Sequence, residues 1–320
     1  MAPVITPAVG DTSTGPEPVA IAREHVSVHQ SALLSAARSP SLRLRRLAAH
    51  LRRARTGCGY TTSQVAAAMR WSVGKVSKME TTESKRIKPA DLDGLMDLYG
   101  ITDPVERETL QGLALDARER GWWARYKDVF GNEALPDFEA EACALRAFES
   151  QVVPGLLQTP AYAEAIFLGG MRPDPEAVRR RVEARMARRA ILTRFDPVHL
   201  HAVVDEAVLH RGIGGPEVMA GQLRHLLHMA QTPNVDVQVL PYEVGAHAAL
   251  TAPFMILEFP NPLDPTIVCV ETLNDALYLE LPCDVGTYVA TFADIREVAY
   301  GTARSLDVIA DALGAVKAAR

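Results

Sequence analysis

The side chains best placed to act together lie in one short stretch, Ser63–Glu80, which reads Ser-Gln-Val-Ala-Ala-Ala-Met-Arg-Trp-Ser-Val-Gly-Lys-Val-Ser-Lys-Met-Glu. Lys75 and Lys78 carry ammonium groups able to reach guanine O6 and N7 or a phosphate oxygen. Ser72 can cap a helix, and the free N–H groups of a helix N-terminus offer a partial positive charge to phosphate. Val73 and Gly74 have no side-chain donor; they permit close approach, and Val73 can meet a thymine methyl. Base readout by such a face is modest, with more weight on shape and backbone contacts. This chemistry recognises a polyanion and makes no covalent bonds.

Two short helices joined by a tight turn must position these groups. Thr61 or Thr62 can cap the first, with Val65, Ala66 and Met69 inward; Ser72 caps the second, with Val76 and Met79 inward. Around them Leu44, Leu47, Leu51 and Ala54 define one apolar face of a preceding helix that ends near Gly57 and Gly59. Pro89 suits the first turn of a helix carrying Leu92, Leu95, Met96 and Leu98, and Asp103-Pro104 opens a last one through Leu110, Leu113 and Ala117. The expectation is a compact domain of five helices.

Charge singles out the same region. Between Ser41 and Lys88 stand twelve Lys/Arg and two acids, a local +10; the total is −5, so the rest carries −15. A cationic block on an acidic body is the pattern of a nucleic-acid-binding head with a separate body. Arg43, Arg45, Arg46, Arg52, Arg53, Arg55, Arg70, Lys85, Arg86 and Lys88 supply sequence-independent attraction wherever they lie on the DNA side. No apolar run reaches the roughly 18 residues of a membrane span, and the N-terminus lacks a secretory pattern. Cys58, Cys143, Cys269 and Cys283 are scattered without a C-x-x-C, as reduced cytosolic thiols are. A cytoplasmic protein without membrane contact is expected.

The length predicts more than one domain. Residues 1–40 read as an extension, Pro-, Thr- and Gly-rich and disordered at first, with 18–38 either disordered or helical. Residues 41–119 form the helical head and 120–315 an α+β body with a mixed or antiparallel sheet. In the body, Phe138–Phe148, Pro160–Leu168, Asp174–Leu192, Pro216–Met229, Asp284–Val298 and Ala303–Leu313 read as helices. Pro197–Val204, Val235–Leu240, Phe254–Phe259, Thr266–Val270 and Leu277–Leu281 read as strands.

The pattern Ser63-Gln64 … Met69 … Ser72-x-x-Lys75-Val76-Ser77-Lys78-Met79-Glu80 resembles the XRE type of helix-turn-helix repressor, the phage Cro/C1 class, over about Leu42 to Ala117. The resemblance implies that Gln64 contacts phosphate and that Ser72 caps the third helix beside the backbone. It implies that Val73, Gly74, Ser77 and Lys78 face base edges, with Lys75 near the groove wall. Two departures stand out. Arg70 occupies a turn position that is often Gly and can need positive φ, which costs on the order of 1 kcal/mol; and Thr81-Thr82-Glu83-Ser84 replaces a Gly-containing exit.

From Gly121 to Leu313 the chain resembles the poorly understood C-terminal domain that follows such heads in many actinobacterial-type regulators. The resemblance rests on Gly121-Trp122-Trp123-x-x-Tyr126, Val153-Pro154-Gly155-Leu156-Leu157-Gln158-Thr159-Pro160-x-Tyr162-Ala163, Arg185-Met186-x-Arg188, Asn234-Val235-x-Val237-Gln238-Val239-Leu240-Pro241 and Gly245-x-His247. Arg189 departs from a common Gln. The resemblance implies a transcription regulator and brings no agreed ligand, cofactor or catalytic residue.

Other chemistry is less well supported. His199 with His201, and His225 with His228, could offer metal ligands, but no recognised motif joins the pairs. Gly212-Ile213-Gly214-Gly215 lacks the strand before and the Lys-Ser/Thr after that a phosphate loop needs, and reads as a helix entry. Trp122, Trp123 and Tyr126 either pack as core or line a ligand or partner groove. His247, in a small-residue loop, is the remaining candidate contact. The expected function is a non-enzymatic regulator that binds double-stranded DNA as a homodimer, its body dimerising, sensing a small-molecule effector, or both. The alternative is an antitoxin-like interaction module that binds a small protein encoded nearby and autoregulates its operon.

Overall fold

A computed structural model describes residues 40–81, 84, 87–117, 121–130, 134–170, 174–261, 264–272 and 276–318. The expected N-terminal extension, up to residue 39, and Lys85 and Arg86 lie outside the described residues.

Five helices form the head: α1 (Pro40–Gly57), α2 (Thr62–Met69), α3 (Val73–Glu80), α4 (Pro89–Leu98) and α5 (Pro104–Asp116). Leu44, Leu47 and Leu51, spaced for one helical face, meet Val65, Ala66, Val76, Met79, Leu92, Leu95, Met96, Leu110 and Leu113 in a single buried cluster. The local signals act as read: Asp103 caps α5 through the Val105 N–H at 3.2 Å, and Pro89 and Pro104 stand in first turns, where no N–H is missed.

A 3-10 turn (Trp122–Tyr126) leads through α6 (Lys127–Phe130) and α7 (Leu135–Glu141) into an α+β domain with a six-stranded sheet. Its strands are β1 (Ala144–Glu149), β2 (His199–Asp205), β3 (Val235–Leu240), β4 (Phe254–Glu258), β5 (Ile267–Glu271) and β6 (Ala276–Leu279). Their order is β3-β2-β1-β4-β5-β6. The first three run parallel and β4, β5 and β6 join antiparallel, so the sheet is mixed. The helices are α8 (Pro160–Leu168), α9 (Pro175–Arg188), α10 (Ala207–His210), α11 (Gly215–Met229), α12 (Pro282–Val298) and α13 (Thr302–Ala318). One sheet face packs with residues of α11 and α13, including Leu223, Leu226, Ile309 and Leu313; the other packs with Phe292 and Ile295 of α12.

One expected element is wrong in kind. Phe138–Phe148 is not a helix: α7 ends at Glu141, and Ala144–Glu149 is β1, in the middle of the sheet. Phe138, Ala142, Leu145 and Phe148 are spaced as a helical face would be. A strand buried on both faces need not alternate, so Leu145, Ala147 and Phe148, each 0–1% exposed, hide the period of two. The β3 edge is closed by the α12–α13 turn. The Tyr300 N–H donates to the Val239 carbonyl at 2.9 Å, and Ser305 Oγ accepts from the Val239 N–H at 2.9 Å.

Candidate nucleic-acid interface

The turn between α2 and α3 sets the angle of the candidate reading helix. Arg70 takes φ 54° and ψ 43°; among the described residues it is the one non-glycine with positive φ. Its N–H donates to the Ala67 carbonyl at 3.2 Å and the Trp71 N–H to that of Ala66 at 2.8 Å. These two bonds close the end of α2 and reverse the chain within two residues. Ser72 then caps α3, its Oγ accepting the Lys75 N–H at 3.3 Å.

α3 divides cleanly between core and solvent. Val76 and Met79 are 1% and 2% exposed, sealed in the head cluster. Ser72, Val73, Gly74, Ser77 and Lys78 are all exposed, Val73 at 47% despite being apolar. Exposure of a valine at the tip of a cationic helix fits a face that awaits a partner groove. Arg70 and Gln64 are exposed beside it.

Gln64 has a second duty. Its Oε1 accepts the Thr61 N–H at 2.8 Å, while Thr61 Oγ1 accepts the Gln64 N–H at 3.2 Å. Thr61, not Thr62, is therefore the cap, and the pair is a reciprocal capping box. The amide Nε2 of Gln64 has no partner among the described residues and remains a free donor.

Lys75 departs from the reading of its type alone. Its Nζ lies 2.9 Å from Asp91 Oδ2 and 3.6 Å from the centroid of the Trp71 ring. Several arginines are also held by carboxylates. Arg55 grips Glu80 with two bonds, at 2.7 and 3.0 Å, and donates to the Tyr60 carbonyl. Arg45 pairs with Glu280, Arg46 with Asp264 by two bonds, and Arg43 lies 4.0 Å from Glu141. These three acids belong to the body, and nothing in the residue types along α1 signalled that its first turns serve it. Arg52, Arg53 and Lys88 are exposed.

The body's candidate contacts fall in two places. Trp122, Trp123 and Tyr126 come together with Phe130 and Ala184 in a small cluster, their rings edge to face at about 6 Å. Arg180 lies 4.5 Å over the Tyr126 ring. His247 packs elsewhere, 5.6 Å from the Phe148 ring in the cluster under α12. The histidine pairs do not converge: His201 bonds Gln238 at 2.6 Å, and His225 bonds Arg189 at 2.8 Å. Burial and the neighbouring guanidinium lower the His225 pKa to about 4. The glycine run enters α11, with Gly214 at φ 71° where a Cβ would strike Ala165 and Val218 at 2.9 Å.

Two short helices joined by a tight turn on a five-helix scaffold define a DNA-binding protein of the helix-turn-helix class, the kind that regulates transcription, and the model of a helix-turn-helix domain matches residues 46–110. The chain belongs to the family described as a domain of unknown function (DUF5753), whose model matches residues 133–311. No curated protein and no solved structure matches the chain. No helix among the described residues is long and apolar enough to cross a membrane.

Proposed function

We propose that the protein is a sequence-specific transcriptional regulator that reads DNA with the exposed face of α3. The observation that carries this reading is the division of α3, with Val76 and Met79 buried and Val73, Gly74, Ser77 and Lys78 presented. Ser77 and Lys78 meet base edges, Val73 meets a thymine methyl, and Gly74 lets the backbone approach. Ser72, Gln64 and Arg70 hold the phosphates on either side. The protein works as a homodimer in the cytoplasm, because one small head makes too few contacts for useful specificity. The body, residues 120–315, brings two heads to the spacing of a two-fold site. Ion pairs from α1 to the body support that role, since they pass any movement of the body to the head.

The test is a mobility-shift titration on the DNA upstream of the coding sequence, across a salt series, against random duplex. Wild-type protein should prefer the upstream fragment, and Lys78→Ala should lower its affinity about tenfold and flatten the salt slope by about 0.9. Equal affinity for both duplexes, unchanged in the variant, would sink the assignment.

A further inference from the structure

Lys75 stands at the third position of α3, where the resemblance implies a place near the groove wall. Its ammonium is instead held from two sides. Asp91 Oδ2 accepts from it at 2.9 Å, and the Trp71 ring lies beneath it at 3.6 Å. Both partners belong to the head. Trp71 is half-buried and packs on the head core. Asp91 sits in the first turn of α4, where a negative side chain faces the partial positive charge of the helix N-terminus. The Lys75 and Asp91 side chains retain 37% and 21% exposure, so the pair forms at the rim of the core.

We propose that Lys75 is not a DNA contact but a cation paired within the head, and that Asp91 is what withholds it from DNA. The Asp91 carboxylate takes the place a backbone phosphate would fill, and the lysine spans α3 to α4. Of the two lysines on this helix, Lys78 alone then neutralises phosphate or reads a base. An ion pair at this exposure is weak enough for a single substitution to release the lysine. This inference rests on the DNA-binding reading above and differs from the role the resemblance implies for Lys75.

Salt dependence separates the roles, because each phosphate neutralised adds about 0.9 to the slope of log affinity against log salt. The full chain is titrated on random duplex as wild type, Lys75→Met, Asp91→Asn, the double variant and Lys78→Ala. Methionine keeps the unbranched stem on Trp71, and asparagine keeps the shape of Asp91. Lys75→Met should match the wild-type slope and stay within about twofold of its affinity. Asp91→Asn should steepen the slope by about 0.9 and raise affinity about two- to fivefold. The double variant should return to the wild-type slope, because the freed cation is gone. A slope flattened by Lys75→Met as much as by Lys78→Ala overturns the inference and leaves the DNA-binding reading intact. So does steepening by Asp91→Asn that persists without Lys75. Failure of the wild type to bind any duplex overturns both.

Discussion

Arg70 shows how much a single backbone angle decides. A left-handed residue at the end of α2 lets the Arg70 and Trp71 N–H groups cap the helix and start α3 at once. A side chain in that conformation costs on the order of 1 kcal/mol, so Arg70→Gly should raise stability by about that amount in urea denaturation. The same variant should bind DNA more weakly, since an exposed cation beside α3 is lost. Stability and binding moving in opposite directions would show that the arginine is kept for its charge. Thr61 is the complementary case: it satisfies a donor at the start of α2 and orients Gln64. Thr61→Ala should cost about 1 kcal/mol by the same assay.

At the scale of elements, β1 organises the body, pairing with β2 on one side and β4 on the other. It ends in Glu149. Burial, with Glu271 nearby, pushes the Glu149 carboxyl from its ordinary 4.5 up to about 8. The native chain therefore keeps a proton that the unfolded chain has released above about pH 4.5. Its contribution to stability is complete below that pH and is lost as pH rises through about 8. Glu149→Gln should remove this decline, so wild type and variant should diverge in melting temperature between pH 5 and 8, the variant being the more stable at the upper end. Parallel melting curves across that window would mean that Glu149 ionises normally. Burial with Arg189 and His228 nearby sets the other limit through His225: its lowered pKa means stability is lost as pH falls from 6.5 toward 4.

Across the whole molecule, α1 belongs to both parts of the described chain. Leu44, Leu47 and Leu51 seal the head, while Leu42, 1% exposed, packs in the core beneath the sheet. Arg46 supplies two bonds to Asp264, whose side chain is 1% exposed. Removing one partner of a buried pair strands the other, so Arg46→Ala should destabilise the protein by about 3 kcal/mol. Asp264→Asn in that background should recover part of the loss, because it removes the uncompensated charge. Denaturation of the two variants, read at the body's own tryptophans, would show whether a substitution in the head is felt there. No loss of stability in Arg46→Ala would argue against rigid transmission through α1.

Much of the head was legible because its signals are local. Capping residues, first-turn prolines and the i, i+3, i+4 spacing of leucines act within one or two turns, and the division of α3 into buried Val76 and Met79 and exposed Ser77 and Lys78 follows from that spacing alone. The +10 of the same stretch needed only counting. Tertiary structure decided what depends on partners distant along the chain. β1 resembled a helix until strands on both sides gave it a sheet to complete. Lys75 has a cation's reach in its type, but only the fold places Asp91 of α4 within 2.9 Å of it. The arginines that open α1 read as free cations until Glu141, Asp264 and Glu280 arrived from the body. A side chain's charge is written in its type, but the group that neutralises it is chosen by the fold.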